Sequence, residues 1–295
     1  MRLRHAILGP GGVGGLIAAV LADSGDTVML IVRPGTESLY PREISLESPF
    51  RNLQARVSIS AEPQEPCDVL WVTVKATQLH PALESIPEKW RVSAVVPLLN
   101  GIDHMDLLRN RFGRGPVIPA TISVESERVA AGKIVQRSPF VRFATAASGT
   151  ERLAHTLMIF RRFGFECAIS DDEPTLLWSK LAFLAPFALA TTAARSTIGE
   201  VLCDPAKAAR LEACVRETCA VASRSGARVD ANSVISKIKG LPPSMRSSME
   251  RDIANGNPLE LDAIGGPILR GAQRYGIPLD ATREFVGALA QPYRA

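Results

Sequence analysis

Eight residues in, directly after the apolar run His5-Ala6-Ile7-Leu8, the chain reads Gly9-Pro10-Gly11-Gly12-Val13-Gly14 and turns apolar again from Val13 to Ala22. Gly-x-Gly-x-x-Gly between a strand-like run and a helix-like run predicts a strand, a tight turn and a helix. Without side chains the turn can close on a pyrophosphate, which then rests on the helix N-terminus where unpaired N–H groups and the dipole favour an anion. The spacing therefore predicts a dinucleotide-binding unit, with Gly9, Gly11, Gly12, Val13 and Gly14 at the cofactor.

A second strand, Thr27-Val28-Met29-Leu30-Ile31-Val32, follows the turn Asp23-Ser24-Gly25-Asp26. Units that bind NAD place an acid near its end to hold the ribose 2′-hydroxyl. Here that position is Arg33, followed by Pro34-Gly35-Thr36. A guanidinium is permanently charged and forks onto phosphate oxygens, so the exchange favours NADP and its 2′-phosphate.

The 295 residues suit two domains of ordinary size, and 46% hydrophobic residues are enough for a sizeable core. The net charge of +4 is scattered, and only 5% of the chain is aromatic, which argues against a nucleic-acid surface. It suits an anionic cofactor and an anionic small substrate. Five cysteines without a Cys-x-x-Cys, and four histidines far apart in sequence, argue against a zinc site or a disulfide framework and point to a reducing cytoplasm. The opening Met1-Arg2-Leu3-Arg4 has the look of a secretory leader, but the glycine spacing accounts for it better. The uncharged stretch Leu181 to Ala194 is too short for a membrane span, so a soluble chain without a membrane partner is expected.

Strand and helix patterns alternate through the first half: Val69 to Val74, Thr77 to Ile86, Ser93 to Leu99, Asp103 to Arg111, then short strands around Val117–Val124, Lys133–Arg137 and Val141–Ala146, a helix over Glu151 to Phe163 and a last strand at Glu166–Ile169. After Ser170 only helical patterns remain, over Pro174 to Arg195, Pro205 to Ser225, Pro243 to Ala254, Pro258 to Tyr275 and Thr282 to Leu289. The expected fold class is α/β: a Rossmann-type, doubly wound parallel sheet over residues 1–169, then an all-α domain over 170–295, with the cleft between them as the default site.

Four residues could do chemistry there. Lys75 ends the strand Trp71 to Val74, where a charge points into the crevice of a parallel sheet or simply begins a solvated loop. Asn100-Gly101 follows the next strand and is either a site residue or a turn. Lys180 lies in an apolar helical stripe with Leu177, Phe183, Leu184, Phe187 and Ala188, so it either snorkels to water or is desolvated into a better proton donor. Glu260 stands third in a good helix start, with Asn257 as N-cap and Pro258 at the first helical position.

Gly9-x-Gly11-x-x-Gly14, Val74-Lys75-Ala76-x-Gln78, Asn100-Gly101, Trp178-x-Lys180-Leu181, Ser247-Ser248-Met249-x-x-Asp252 and Glu260-Leu261-Asp262 together resemble the ketopantoate reductase (2-dehydropantoate 2-reductase) family over essentially the whole chain. The resemblance implies NADPH-dependent reduction of a 2-keto acid to a 2-hydroxy acid in pantothenate biosynthesis. It implies Lys180 as general acid and Glu260 as its acidic partner. Lys75 and Asn100 would touch cofactor and substrate, Ser248 the substrate carboxylate and Arg33 the 2′-phosphate. The family carries asparagines four and eight residues after the lysine, where this chain has Leu184 and Ala188; Pro186 between them is expected to disturb the helix. A more apolar 2-keto acid, or a silent NADPH-binding paralogue, are the alternatives. A homodimer through the helical domain is expected.

Overall fold

The computed structural model describes residues 2–290. Its contacts fall into two compact units: residues up to Leu99 with His104–Asp171, and Asn100–Asp103 with the chain from Asp172 onward.

The first unit opens with β1 (Arg4–Leu8), α1 (Gly12–Asp23) and β2 (Thr27–Ile31), then three short strands, β3 (Glu43–Glu47), β4 (Leu53–Arg56) and β5 (Ser58–Ser60). It continues through β6 (Cys67–Val72), α2 (Leu79–Glu84), β7 (Val92–Pro97) and α3 (His104–Phe112). β8 (Ala120–Ser123), β9 (Ser126–Ala130), β10 (Lys133–Gln136), β11 (Arg142–Ala146), α4 (Thr150–Phe163) and β12 (Glu166–Ser170) complete it. One five-stranded sheet, in the order β5-β2-β1-β6-β7, is parallel throughout. Strand order reverses at β1, and the register aligns Leu8 with Ile31 and with Val72, and Val72 with Pro97. The segments after these residues therefore leave from one edge, at the switch point where such sheets bind ligands. Two smaller sheets, β4-β3-β10-β9 and β12-β11-β8, mix parallel and antiparallel pairs.

β3, β4, β5 and β9 are not among the expected strands. They are only three to five residues long, and β9 is almost wholly exposed, so no apolar run marks it. α2 is also shorter than the expected Thr77 to Ile86, because Ala76–Gln78 forms a 3₁₀ turn first.

The second unit is helical: α5 (Glu173–Ala194), α6 (Ile198–Cys203), α7 (Pro205–Arg224), α8 (Ala231–Lys239), α9 (Ser248–Ala254), α10 (Leu261–Tyr275) and α11 (Ala281–Ala290). α6 and α8 are additions to the expected set. Each is short and made by its cap: a Thr197–Glu200 capping box, and Asp230 accepting from the Ser233 N–H at 2.7 Å. α9 starts five residues later than Pro243. The carbonyls of Pro243 and Met245 instead accept from Gly199 and Ile198 at the start of α6, each at 2.9 Å. α5 runs through Pro186 without breaking. At 22 residues, with an 18-residue window of mean hydropathy 1.4, it is long and apolar enough by length and composition to cross a membrane, but it also includes the charged residues before Leu181; 72% of that window is buried in the protein, so its apolar surface is spent on the core.

Two histidines distant in sequence meet in the first unit. His5 and His155 both reach the Asp26 carboxylate at 3.1 Å, and the Leu3 N–H donates to it at 3.2 Å. Trp71 Nε1–H donates to His5 Nδ1 at 3.3 Å, and since indole can only donate, His5 must offer its proton from Nε2. Burial pushes the Asp26 carboxyl up, but the bonds from His5, Leu3 and His155 outweigh it and hold it below the ordinary 3.8. A depressed carboxylate pKa stabilises the fold above the unfolded value, and this is lost as pH falls through the folded one. Asp26→Asn should cost about 1–3 kcal/mol near neutral pH. Urea melts of the two proteins should converge as the pH is taken below 3.8.

Candidate functional site

The glycine-rich turn connects β1 to α1, and each glycine meets a different surrounding. Gly9 has φ +92, and a Cβ there would lie 2.5 Å from Val74 Cγ1. At Gly14 a Cβ would meet Thr73 Oγ1 at 2.4 Å and the Gly9 carbonyl at 2.5 Å, so helix and strand approach too closely for a side chain. Gly12 faces the backbone of β9: a Cβ would lie 2.0 Å from the Ser126 carbonyl oxygen, and Ser126 Oγ donates to the Gly12 carbonyl at 2.9 Å. Of the glycines in this turn, only at Gly11 would a Cβ meet nothing within 4 Å. Gly11 is the N-cap residue of α1 and makes no side-chain cap bond, and a helix N-terminus capped in this way suits an anion.

Two cations leave the same sheet edge. Arg33 is exposed, two residues past β2, in a turn closed by Thr36 N–H and Oγ1 donating to the Arg33 carbonyl at 3.1 and 2.7 Å. Lys75 is exposed, three residues past β6. Thr73 joins it to the glycine turn by donating to the Leu8 carbonyl through its N–H at 2.9 Å and to the Gly9 carbonyl through Oγ1 at 2.8 Å. The first unit thus gathers the glycines, Arg33 and Lys75 along one edge.

The second unit gathers the others. Glu260 is 8% exposed, and Asn100 Nδ2 donates to its Oε2 at 3.0 Å. Glu260 is not the third residue of a helix capped by Asn257. α10 starts at Leu261 with Glu260 as its N-cap residue, making no side-chain cap bond. Asn257 instead folds back on α9, its N–H donating to the Asp252 carbonyl at 2.8 Å. That releases the carboxylate from helix capping. Burial pushes the Lys180 ammonium down to about 8, against an opposing pull from the Glu260 charge. The residue as a whole is only half-buried, so it is the crowding of the ammonium that counts. Of the two serines, Ser248 is exposed at the start of α9, while Ser247 is buried as its N-cap and bonded to Thr191 Oγ1 at 2.9 Å.

Sequence reasoning missed how residues 100–103 attach. Gly101, at φ +81, lies so close to α10 that a Cβ would sit 2.2 Å from the Ala263 carbonyl oxygen. Ile102 packs against the helical core, and Asp103 pairs with Arg270, which also bonds Asp262 at 2.7 Å. An Asn-Gly pair reads as a turn; only the tertiary contacts show it docked on a helix 160 residues away. Ser126 was missed because it lies on an exposed edge strand.

Comparison with known proteins covers both units. The family model described as ketopantoate reductase PanE/ApbA matches residues 5–144, and the model of its C-terminal domain matches residues 175–292. A 2-dehydropantoate 2-reductase of Caulobacter vibrioides is 28% identical over 96% of this chain and 97% of its own. A PanE/ApbA family ketopantoate reductase from Ralstonia eutropha superposes with a TM-score of 0.83 at 25% identity, over 97% of this chain and 96% of its own. D-mandelate dehydrogenase, solved with NADH and anilino(oxo)acetate, shares the fold with a TM-score of 0.85 at 20% identity, over 97% of each chain.

The two glycine contacts predict a separation of effects. Gly12→Ala and Gly101→Ala should each cost more than about 2 kcal/mol in denaturant unfolding, because backbone must move to admit the methyl group. Gly11→Ala should unfold at nearly the unchanged concentration.

Proposed function

The chain belongs to the ketopantoate reductase family, and on that premise we propose that it reduces a 2-oxo acid to the 2-hydroxy acid with NADPH, 2-dehydropantoate being the substrate in pantothenate biosynthesis. One observation carries the reading: the desolvated ammonium of Lys180, brought down to about 8, stands under the charge of a buried carboxylate, Glu260.

Bound NADPH supplies the hydride. Gly11, Gly12, Val13 and Gly14 would receive its pyrophosphate on the N-terminus of α1, where a Cβ on Gly11 would meet nothing within 4 Å. Arg33 takes the 2′-phosphate, with no acid at that position to repel it. Lys75 and Asn100 contact cofactor and substrate, and Ser248 receives the substrate carboxylate.

As hydride reaches the keto carbon, charge grows on the carbonyl oxygen. Lys180 stabilises that oxygen as an ammonium and then gives it a proton from Nζ. A lysine near 8 gives up its proton more readily than one at the ordinary 10.5 while staying mostly charged at neutral pH. Glu260 keeps the ammonium charged, and Asn100 holds the carboxylate by its 3.0 Å bond. The helical unit also serves a homodimer, and the enzyme works in the cytoplasm.

Lys180→Ala should lower kcat by about 10²–10⁴ while NADPH affinity, read by fluorescence titration, changes little. A fully active variant would remove the mechanism. Because the donor must be protonated, kcat/KM should fall as pH rises through about 8. Glu260→Gln removes the charge that raises the lysine, so this limb should move to lower pH. Arg33→Ala should raise KM for NADPH by about tenfold or more and leave KM for NADH nearly unchanged; equal effects on both would refute the assignment to the 2′-phosphate.

A further inference from the structure

Beyond Lys180 itself, the face of α5 that carries it presents no polar side chain over the next two turns. On its face, three and four residues along, stand Phe183 and Leu184, which pack on the helical core yet keep some exposure. One turn further lie Phe187, paired with the Phe183 ring at 6.1 Å, and Ala188, fully buried. The next hydroxyls on α5 are engaged inside the protein: Thr191 Oγ1 reaches the Phe187 carbonyl at 2.8 Å and Ser247 Oγ at 2.9 Å, and Thr192 lies 3.4 Å from the same serine. Ser247 Oγ also accepts the Glu250 N–H at 3.1 Å, and Asn100 Nδ2 donates to Glu260 at 3.0 Å.

We propose that this site recognises a 2-oxo acid by its carboxylate and carbonyl and meets the remaining chain as hydrocarbon, against Phe183 and Leu184. A branched 2-oxo acid without a hydroxyl is then a substrate on a par with 2-dehydropantoate. The inference rests on the reductase reading of Lys180. The chemistry is unchanged: hydride forms the new C–H bond, the C=O π pair takes the Lys180 proton, NADPH is oxidised, and the lysine recovers its proton from water. A hydroxyl laid on this face would lose its water without gaining a partner. A site built to bond a substrate hydroxyl rejects the analogue lacking it by about 10⁴–10⁵, whereas an apolar wall separates such pairs by about 10² at most.

The test uses the purified full chain and NADPH with two substrates that differ by one hydroxyl: 2-dehydropantoate and 3,3-dimethyl-2-oxobutanoate. Their kcat/KM values should lie within about a hundredfold of each other, and a larger preference for 2-dehydropantoate overturns the inference. Leu184→Asn should shift the ratio toward 2-dehydropantoate by about tenfold or more. An unchanged ratio, in a variant whose circular dichroism and thermal melt match the unchanged protein, also overturns it. Should that variant fail to fold, the ratio for the unchanged protein decides. Turnover of 2-dehydropantoate alone defeats the inference and spares the reductase reading; NADPH binding with turnover of neither acid defeats both.

Discussion

A carboxylate withdrawn from water must be matched by charge and by donors, and Glu260 sets that demand on the helical unit. The start of α10, the docking of residues 100–103 and the environment of Lys180 all bear on it. Helix α10 begins one residue after the carboxylate, Asn100 donates to it, and its charge opposes the loss of the Lys180 proton. The reach of Asn100 is fixed by its neighbour, because Gly101 lies directly on the Ala263 carbonyl. Ile102 and Asp103 extend that attachment by packing and by an ion pair with Arg270. A short loop is thereby made part of a helical core.

The sheet unit reaches its geometry by a different physical route, through omission of side chains rather than pairing of polar groups. α1 is pressed against three neighbours at once. Gly14 meets Thr73 and Ile7, Gly12 meets the Ser126 backbone, and Gly15 meets Ile134 at 2.3 Å from where a Cβ would stand. Among these glycines only Gly11 would hold a Cβ in open space, so they divide into those that admit protein and one whose side-chain position is open. Close approach explains why this helix carries so many, despite the entropic cost of glycine in a helix.

Much of this was legible in the sequence. The apolar runs at β1, β2, β6 and β7 and the glycine spacing between β1 and α1 carry strong local signals, because strands buried on both faces leave little choice of residue. The helices after Ser170 are legible from apolar residues recurring at helical spacing between proline and glycine breaks. β3, β4, β5 and β9 were not, being short, polar in alternation or exposed. The start of α10 misled because Asn257-Pro258 fits a helix cap by every local rule, while the Asp252 carbonyl offered Asn257 a competing bond. Likewise Pro186 has the local mark of a break, yet α5 passes through it, fully packed.

The sequence by itself determined the order of the principal elements, the glycine-rich turn between β1 and α1, the arginine in place of an acid after β2, and the apolar stripe around Lys180. These depend on residues within a turn or two of one another, where spacing dictates geometry. Only the tertiary structure decided whether Lys180 is desolvated, which group Glu260 serves, why Gly12 admits no side chain, and that His5 and His155 share Asp26. Each of those turns on contacts between segments far apart in the chain, and the free energy of a charge or a close approach is set by what surrounds it in space.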